Sequence, residues 1–268
     1  DVTDTFSAGL AGRYEDYSDF GNQASGKVSA RYAFTDKIAL RGTVASGFRA
    51  PSLAQQFFQT TSTTFLPGNP NPFEIRTFPA TSSVARALGA EPLNAETSLS
   101  YSVGLVWQPT DALYLTADAY QIDVDNRIVL SSNLTGTGVR NLLEAQGLFG
   151  INGGRYFTNA VETRTRGIDL VGSYHWQLTA SSVDLTAAYN DSETQVRSVA
   201  ANPPALSANG LSLERIDRTE RGRIEEGFPR DKFLINGSWN LEHWTLALGA
   251  TRYGKFSIRP TAAINDQT

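Results

Sequence analysis

The chain has 268 residues, a net charge of −4 at pH 7 and a pI near 5.3. This acidic balance gives no electrostatic reason to expect a nucleic-acid partner. The absence of cysteine excludes disulfides, thiolate nucleophiles and cysteine-based metal sites. No apolar run reaches the roughly 18 residues that a transmembrane helix needs.

Large apolar residues alternate with small or polar residues along most of the chain. In one example, Leu99, Tyr101 and Val103 alternate with Ser100 and Ser102. A period of two predicts a β-strand whose two faces meet different environments. Nine segments show it, at residues 6–14, 27–34, 38–44, 98–107, 113–120, 168–176, 183–190, 233–239 and 244–250.

The connections between these strands alternate in length. Short polar turns occur at 35–37, 108–112, 178–182 and 240–243. Long excursions occupy roughly 50–95, 131–155 and 197–229, and only the connection near 18–24 is short on that side. Successive connections of an antiparallel meander fall at opposite ends, so the long loops share one end. Such sidedness is typical of an outer-membrane barrel, with short periplasmic turns and longer external loops.

Tryptophan placement gives a second indication. Trp107, Trp176, Trp239 and Trp244 all lie close to a short turn, on the apolar face of their strands. Indole rings prefer a membrane–water interface, so the sequence predicts an aromatic girdle at the short-turn end. The alternative is that the four rings close one end of a soluble β core, which leaves the loop asymmetry unexplained.

Four segments carry a family resemblance. They are Ser46-Gly-Phe-Arg-Ala-Pro-Ser52, Pro92-Leu-Asn-Ala-Glu-Thr-Ser98, Thr165-Arg-Gly-Ile-Asp-Leu170 and Gly12-Arg-Tyr-Glu-Asp-Tyr-Ser18. The chain resembles the TonB-dependent outer-membrane receptors. That resemblance implies a 22-stranded barrel with an N-terminal plug, importing scarce nutrients with energy transmitted from the inner membrane.

We therefore expect an all-β fold, a transmembrane up-and-down antiparallel β-barrel that is incomplete. About nine strands of a larger barrel are predicted, so residues 1–268 form one partial barrel domain from which the plug and the remaining strands are absent. The expected location is the bacterial outer membrane.

The loop that begins after Arg49 is predicted to contact ligand. It contains Gln55, Phe57 and Phe58, a mixture of amides and exposed aromatic rings near turn-forming residues, and Tyr156 near the second long excursion joins the same predicted set. Two alternatives stay open. The loop could be an ordered lid that packs on neighbouring loops, and Arg49 could be structural, joining the strand end to the loop.

Inward-facing charges are predicted to contact a plug. Arg31 and Arg41 lie on adjacent strands of the polar face, where like charges are unfavourable unless paired. We expect them to meet acidic groups of a plug or of neighbouring strands, such as Asp118 or Asp169.

Other candidate chemistry is weak. Asp123 to Asn126 lacks the glycine and glutamate of a calcium loop and is interpreted as a solvated rim. Residues 214–226 alternate in charge sign and are interpreted as a solvated loop. His175 and His243 form no triad pattern, so we expect neither an enzyme nor any cofactor or metal site.

Two functional classes remain. The first is an energy-coupled receptor for a siderophore, cobalamin or an oligosaccharide. Its expected partners are a small-molecule ligand, membrane lipid and lipopolysaccharide, and an inner-membrane energy-coupling protein reached through the missing plug. The second is a passive porin or another outer-membrane barrel, including a barrel enzyme.

Overall fold

The computed structural model describes residues 2–18, 21–65, 71–208 and 213–259. It contains twelve strands: β1 (Phe6–Tyr17), β2 (Gly21–Thr35), β3 (Ile38–Arg49), β4 (Thr60–Phe65), β5 (Pro72–Phe78), β6 (Glu96–Thr110), β7 (Leu113–Leu130), β8 (Leu134–Thr135), β9 (Gly153–Gln177), β10 (Ser181–Val199), β11 (Asp231–Leu241) and β12 (Trp244–Tyr253).

Nine of these strands form one antiparallel wall. Their spatial order is β1-β2-β3-β6-β7-β9-β10-β11-β12, so each wall strand pairs with its two neighbours in this order, except that β1 pairs only with β2 and β12 only with β11. The first and last wall strands do not pair with each other among the described residues, and the sheet is open. The nine segments predicted from the period-two pattern are confirmed, as is the all-β class.

The large apolar side chains of the wall project outward into the surroundings. Leu10, Val28, Leu105 and Leu248 are all exposed, although each belongs to the apolar stripe of its strand. A soluble sheet would bury such a stripe against another layer, whereas a membrane-spanning sheet presents it to lipid. The four tryptophans are also exposed and lie beside the short turns, as the girdle requires.

The long connections fold together at the other end of the wall. They contain the helices α1 (Leu53–Phe57), α2 (Ser83–Ala87), α3 (Thr137–Ala145) and α4 (Arg218–Glu225), and a 3₁₀ turn at Pro204–Leu206. None of the helices within the described ranges is long and apolar enough to cross a membrane. We call the parts of 50–95, 131–152 and 200–230 that the structure describes the loop body.

The loop body has its own buried core. The cluster combines residues of all three long connections with the first residues of β9: Phe78, Ala85, Leu88, Ala90, Leu134, Val139, Leu143, Ile151, Tyr156 and Leu206. In addition, β4 pairs antiparallel with β5, and β5 pairs parallel with the start of β9. The long excursions therefore contain strands and helices of their own.

Residues 214–226 differ from the solvated loop that their charge pattern indicated. Most of this segment is helix α4, and Arg215 is only 6% exposed. The Arg215 guanidinium donates to the carbonyl oxygens of Ala200 and Ala201 at 3.2 and 2.9 Å. The charge pattern failed here because backbone carbonyls 15 and 14 residues earlier in the chain accept hydrogen bonds from Nη2 of the buried guanidinium.

Candidate ligand-binding site at the long-loop end

Arg49 lies where the wall meets the loop body. Its Nε is 2.9 Å from Glu96 Oε2, and its Nη2 donates to Glu96 Oε1 at 3.0 Å. The two residues are direct cross-strand partners in β3 and β6, and Glu96 is almost fully buried. Glu96 Oε1 also accepts the backbone N–H of Ile128 in β7 at 2.6 Å. The carboxylate therefore connects three strands at the rim, which supports the structural alternative for Arg49.

A second arginine, Arg127, lies at the same rim. It follows Asn126, whose φ of 53° marks an irregularity where the β7–β9 register shifts. Its Nη1 donates to Thr163 Oγ1 at 3.2 Å. The single negative charge of Glu96 is already paired with Arg49. The partly buried guanidinium of Arg127 is therefore an additional positive charge at this rim. Together, Arg49, Glu96 and Arg127 carry one net positive charge.

Helix α1 presents an exposed apolar surface. Phe57 is 61% exposed and Phe58 is 46% exposed, and Leu53 at the start of the helix is exposed as well. The Gln55 side chain, in contrast, folds back onto Ser52. Its side-chain oxygen accepts a hydrogen bond from the Ser52 N–H at 3.0 Å, and the backbone N–H of Gln55 donates to Ser52 Oγ at 3.1 Å. This capping box fixes the first turn of α1. The ligand-contact role of all three predicted residues stays a prediction.

Tyr156 is completely buried in the core of the loop body. Its side chain is 0% exposed, and its hydroxyl donates to the carbonyl oxygen of Leu88 at 3.0 Å. A ligand that docks on the surface of the loop body does not reach this ring. The structure thus gives Tyr156 a packing position, and its predicted contact with ligand stays a prediction.

The polar face of the wall carries an ion pair that spans three strands. Arg41 in β3 donates from Nε and Nη2 to the two oxygens of Asp118 in β7, at 2.9 and 2.6 Å. Between them lies Gly104 of β6, the cross-strand partner of both residues. A Cβ at this position would lie 1.9 Å from Asp118 Oδ1, so the pair passes over a strand that has no side chain there.

The other two predicted inner-wall residues have different surroundings. Asp169 is the cross-strand partner of Asp118 and accepts from Asn190 Nδ2 at 2.6 Å. Arg31 lies directly opposite Arg41 in the β2–β3 pair, and among the described residues it has no ion pair. One of the two predicted arginines therefore meets an acidic group of the wall. Contact of any of these four residues with a plug stays a prediction.

Asp123 is not the solvated rim residue that the sequence suggested. Its carboxylate accepts from Arg164 at 2.6 and 3.2 Å and from Gln121 at 2.8 Å, and Arg197 lies 3.7 Å away. These partners come from β7, β9 and β10, which are adjacent only in the folded sheet.

Comparison with known proteins identifies the family. A family model described as "TonB dependent receptor-like, beta-barrel" matches residues 1–267. The chain belongs to the TonB-dependent receptor family. Members of this family reside in the bacterial outer membrane, so the exposed apolar face of this receptor barrel lies against lipid. Among curated proteins, no sequence matches the chain.

Several solved structures share the fold of this receptor barrel. The siderophore receptor PirA from Pseudomonas aeruginosa matches with a TM-score of 0.56 and 18% identity, covering 94% of this chain and 38% of its own. PirA from Acinetobacter baumannii gives 0.55 and 16%, covering 96% and 33%. The RagAB peptide importer gives 0.59 and 10%, covering 94% and 32%. The chain thus spans about a third of the length of these structures.

Sequence reasoning missed three residues of this region of the receptor. Glu96 lies inside the Pro92–Ser98 motif, yet only the pairing of β6 with β3 reveals that it binds Arg49. Arg127 lies beyond the predicted end of its strand, because the irregularity at Asn126 interrupts the alternation. Gly104 is one more small residue of the polar face in the alternating pattern, and a cross-strand ion pair leaves no signal in the sequence of a single strand.

Proposed function

We propose that the chain forms wall and external loops of an outer-membrane receptor that takes up a scarce nutrient with energy coupled from the inner membrane. The observation that carries the proposal is the exposed pair Phe57 and Phe58, in the loop that begins directly after Arg49 of the rim. A preorganised surface of apolar rings and a net cationic rim suits capture of a small ligand with both apolar and anionic parts.

The proposed partners follow from this role. A small-molecule ligand, whether a siderophore, cobalamin or an oligosaccharide, is captured at the loop body. A plug, in contact with inner-wall groups such as Arg31 and Asp169, receives energy from an inner-membrane protein. The named siderophore receptors and the peptide importer among the structural neighbours support a receptor over the alternatives of a passive porin or a barrel enzyme.

Nutrient uptake by cells carrying the complete gene product tests the proposal. Ferric siderophores, cobalamin and oligosaccharides are supplied as a panel, with and without collapse of the inner-membrane proton gradient. We expect uptake of one class, and we expect it to stop when the gradient is collapsed. Uptake that continues without the gradient would instead identify a passive channel.

A matched pair of variants tests the site. Phe57→Ala with Phe58→Ala should lower ligand binding by roughly tenfold or more, because aromatic anchors dominate small interfaces. Phe149→Ala with Phe228→Ala removes two other exposed rings of the loop body and should leave binding unchanged. Equal binding by both variants would place the ligand elsewhere. Loop deletion is a poorer test, because cutting between Ala54 and Pro92 removes Phe78 and Leu88 from the shared core.

A further inference from the structure

Strand β4 of the loop body has a free edge. One side of the strand pairs with β5, and within the described ranges no strand pairs with its other side. In an antiparallel pair, every second residue directs its backbone N–H and C=O groups away from the partner strand. Half of the six residues of Thr60–Phe65 therefore present unpaired backbone groups at this edge.

This edge lacks the features by which native proteins stop further strands from adding to a sheet. Such features are charged residues, proline and β-bulges. Residues 60–65 contain only threonine, serine and one phenylalanine, and their pairing with β5 continues without a shift along all six residues. The consecutive residues Thr61, Ser62 and Thr63 are all exposed, so the described part of the protein covers neither face of β4 there.

The loop body holds β4 in place through its partner β5. The end of β5 pairs in parallel with the start of β9, and Thr77 and Phe78 of β5 are buried there. Asn152, directly before β9, accepts the Glu74 N–H through Oδ1 at 2.7 Å and donates its own backbone N–H to the Glu74 carbonyl oxygen at 2.8 Å. An edge that is already ordered in this way loses little entropy when a ligand binds, which favours affinity.

The free edge begins next to the exposed rings of α1. Phe58 is 46% exposed and precedes β4 by two residues. Since two residues span at most about 7 Å, a chain that pairs with the start of β4 lies within reach of this ring. The surroundings of the edge therefore combine backbone hydrogen-bonding groups with one apolar contact.

We propose that β4 binds an extended peptide from the external medium by strand addition. The peptide backbone exchanges hydrogen bonds with the free edge of residues 60–65, and one peptide side chain contacts Phe58. This mode of binding recognises the backbone of the ligand more than its charge. It goes beyond the proposed function, because a strand edge recognises a peptide backbone whichever nutrient the receptor imports.

Peptide binding by the purified complete gene product, measured by fluorescence anisotropy, tests this site. The probe is a labelled heptapeptide of alternating threonine and valine, and the comparison is the same peptide with every backbone nitrogen methylated. Methylation should lower the affinity at least about tenfold, because it removes the backbone donors. The double variant Thr61→Ala with Thr63→Ala keeps the backbone of β4 and should bind the probe as the parent protein does.

Two adjacent proline variants, Ser62→Pro and Thr63→Pro, locate the site. Neighbouring residues of a strand direct their N–H groups to opposite edges, so the two variants should differ. One should keep the pairing of β4 with β5 and lose the peptide, whereas the other should lose that pairing. Hydrogen exchange of the β5 amides identifies the variant that keeps the pairing, and heat-modifiable gel mobility reports folding of the wall.

Three results would overturn the proposal. The first is normal peptide binding by the proline variant that keeps the pairing. The second is equal affinity for the methylated and unmethylated peptides, a comparison that uses the parent protein and needs no variant to fold. The third is protection of every amide of residues 60–65 from exchange in the peptide-free protein, because another loop or a second copy would then cover the edge.

Discussion

The wall and the loop body place their apolar side chains in opposite environments. In the wall, no part of the protein covers Leu105 and Val103, and these side chains face the lipid of the membrane. In the loop body, Leu88 and Leu143 are completely buried, because protein covers them. The chain therefore contains an apolar surface that is stabilised by contact with lipid and a small core that is stabilised by packing of side chains. The same kind of substitution should therefore change stability differently in the two regions.

The largest expected effect is in the loop body. Leu143→Ala removes a side chain that is 0% exposed, and such a loss costs about 2–5 kcal/mol. We expect the cost to fall on the loops, which become sensitive to protease in intact cells, while the wall keeps its heat-modifiable mobility. The control Leu53→Ala, at an exposed position of α1, should change neither. Loss of the wall together with the loops would show that the two regions form one cooperative unit.

A charge on the lipid-facing side of the wall should have the next largest effect. Leu105→Arg should cost about 2–4 kcal/mol, because the guanidinium must leave water near the middle of the bilayer. Thr116→Arg should be far milder, since Thr116 lies on the polar face at the neighbouring level, next to the Leu105 partner Ala117. Folding titrations of the complete gene product into lipid vesicles measure both. Equal sensitivity would contradict the assignment of the two faces.

A smaller effect is expected on the polar face at Gly104. Gly104→Ala places a methyl group 1.9 Å from Asp118 Oδ1 and should break its pair with Arg41, at about 1–3 kcal/mol. The control is Gly12→Ala, because a Cβ at Gly12 meets nothing within 4 Å. Adding Asp118→Ala to Gly104→Ala should recover part of the loss in the same titration. If both glycine variants are equally stable, the ion pair does not depend on the glycine.

The smallest expected effect is a pH dependence of α4. Burial raises the pKa of Glu220, and the ion pair of Glu220 with Arg223 at 2.6 Å opposes this only in part. A raised folded-state pKa means that the protonated form stabilises the docked helix. That stability is fully present below the unfolded pKa of about 4.3 and is lost as the pH rises through the folded value.

Hydrogen exchange of the α4 amides measures this dependence. Protection should fall as the pH rises above about 4.3, once the intrinsic rate of exchange is corrected. Glu220→Gln should remove the dependence, while the exposed Glu144 offers a matched Glu144→Gln control that should keep it. A profile that stays flat in the parent protein would contradict the burial of the carboxyl group.

The period-two pattern by itself determined the wall. Each strand repeats apolar and polar residues, as Leu99, Tyr101 and Val103 do with their serine neighbours, and the alternation of side chains in a strand links that pattern directly to the two faces. Loop lengths and the four tryptophans then determined which end carries the long loops. These features are local in sequence, so no knowledge of distant contacts was needed.

Only the tertiary structure decided the loop body and the rim. Tyr156 belongs to one buried cluster with residues from all three long connections, and Glu96 binds Arg49 across 47 positions of the chain. Arg127 follows an irregular residue that breaks the alternation, and Gly104 matters because of two side chains on other strands. The physical reason is the same throughout: burial and ion pairing in these places depend on which strands are neighbours, and a periodic pattern specifies the faces of a strand but not its partners.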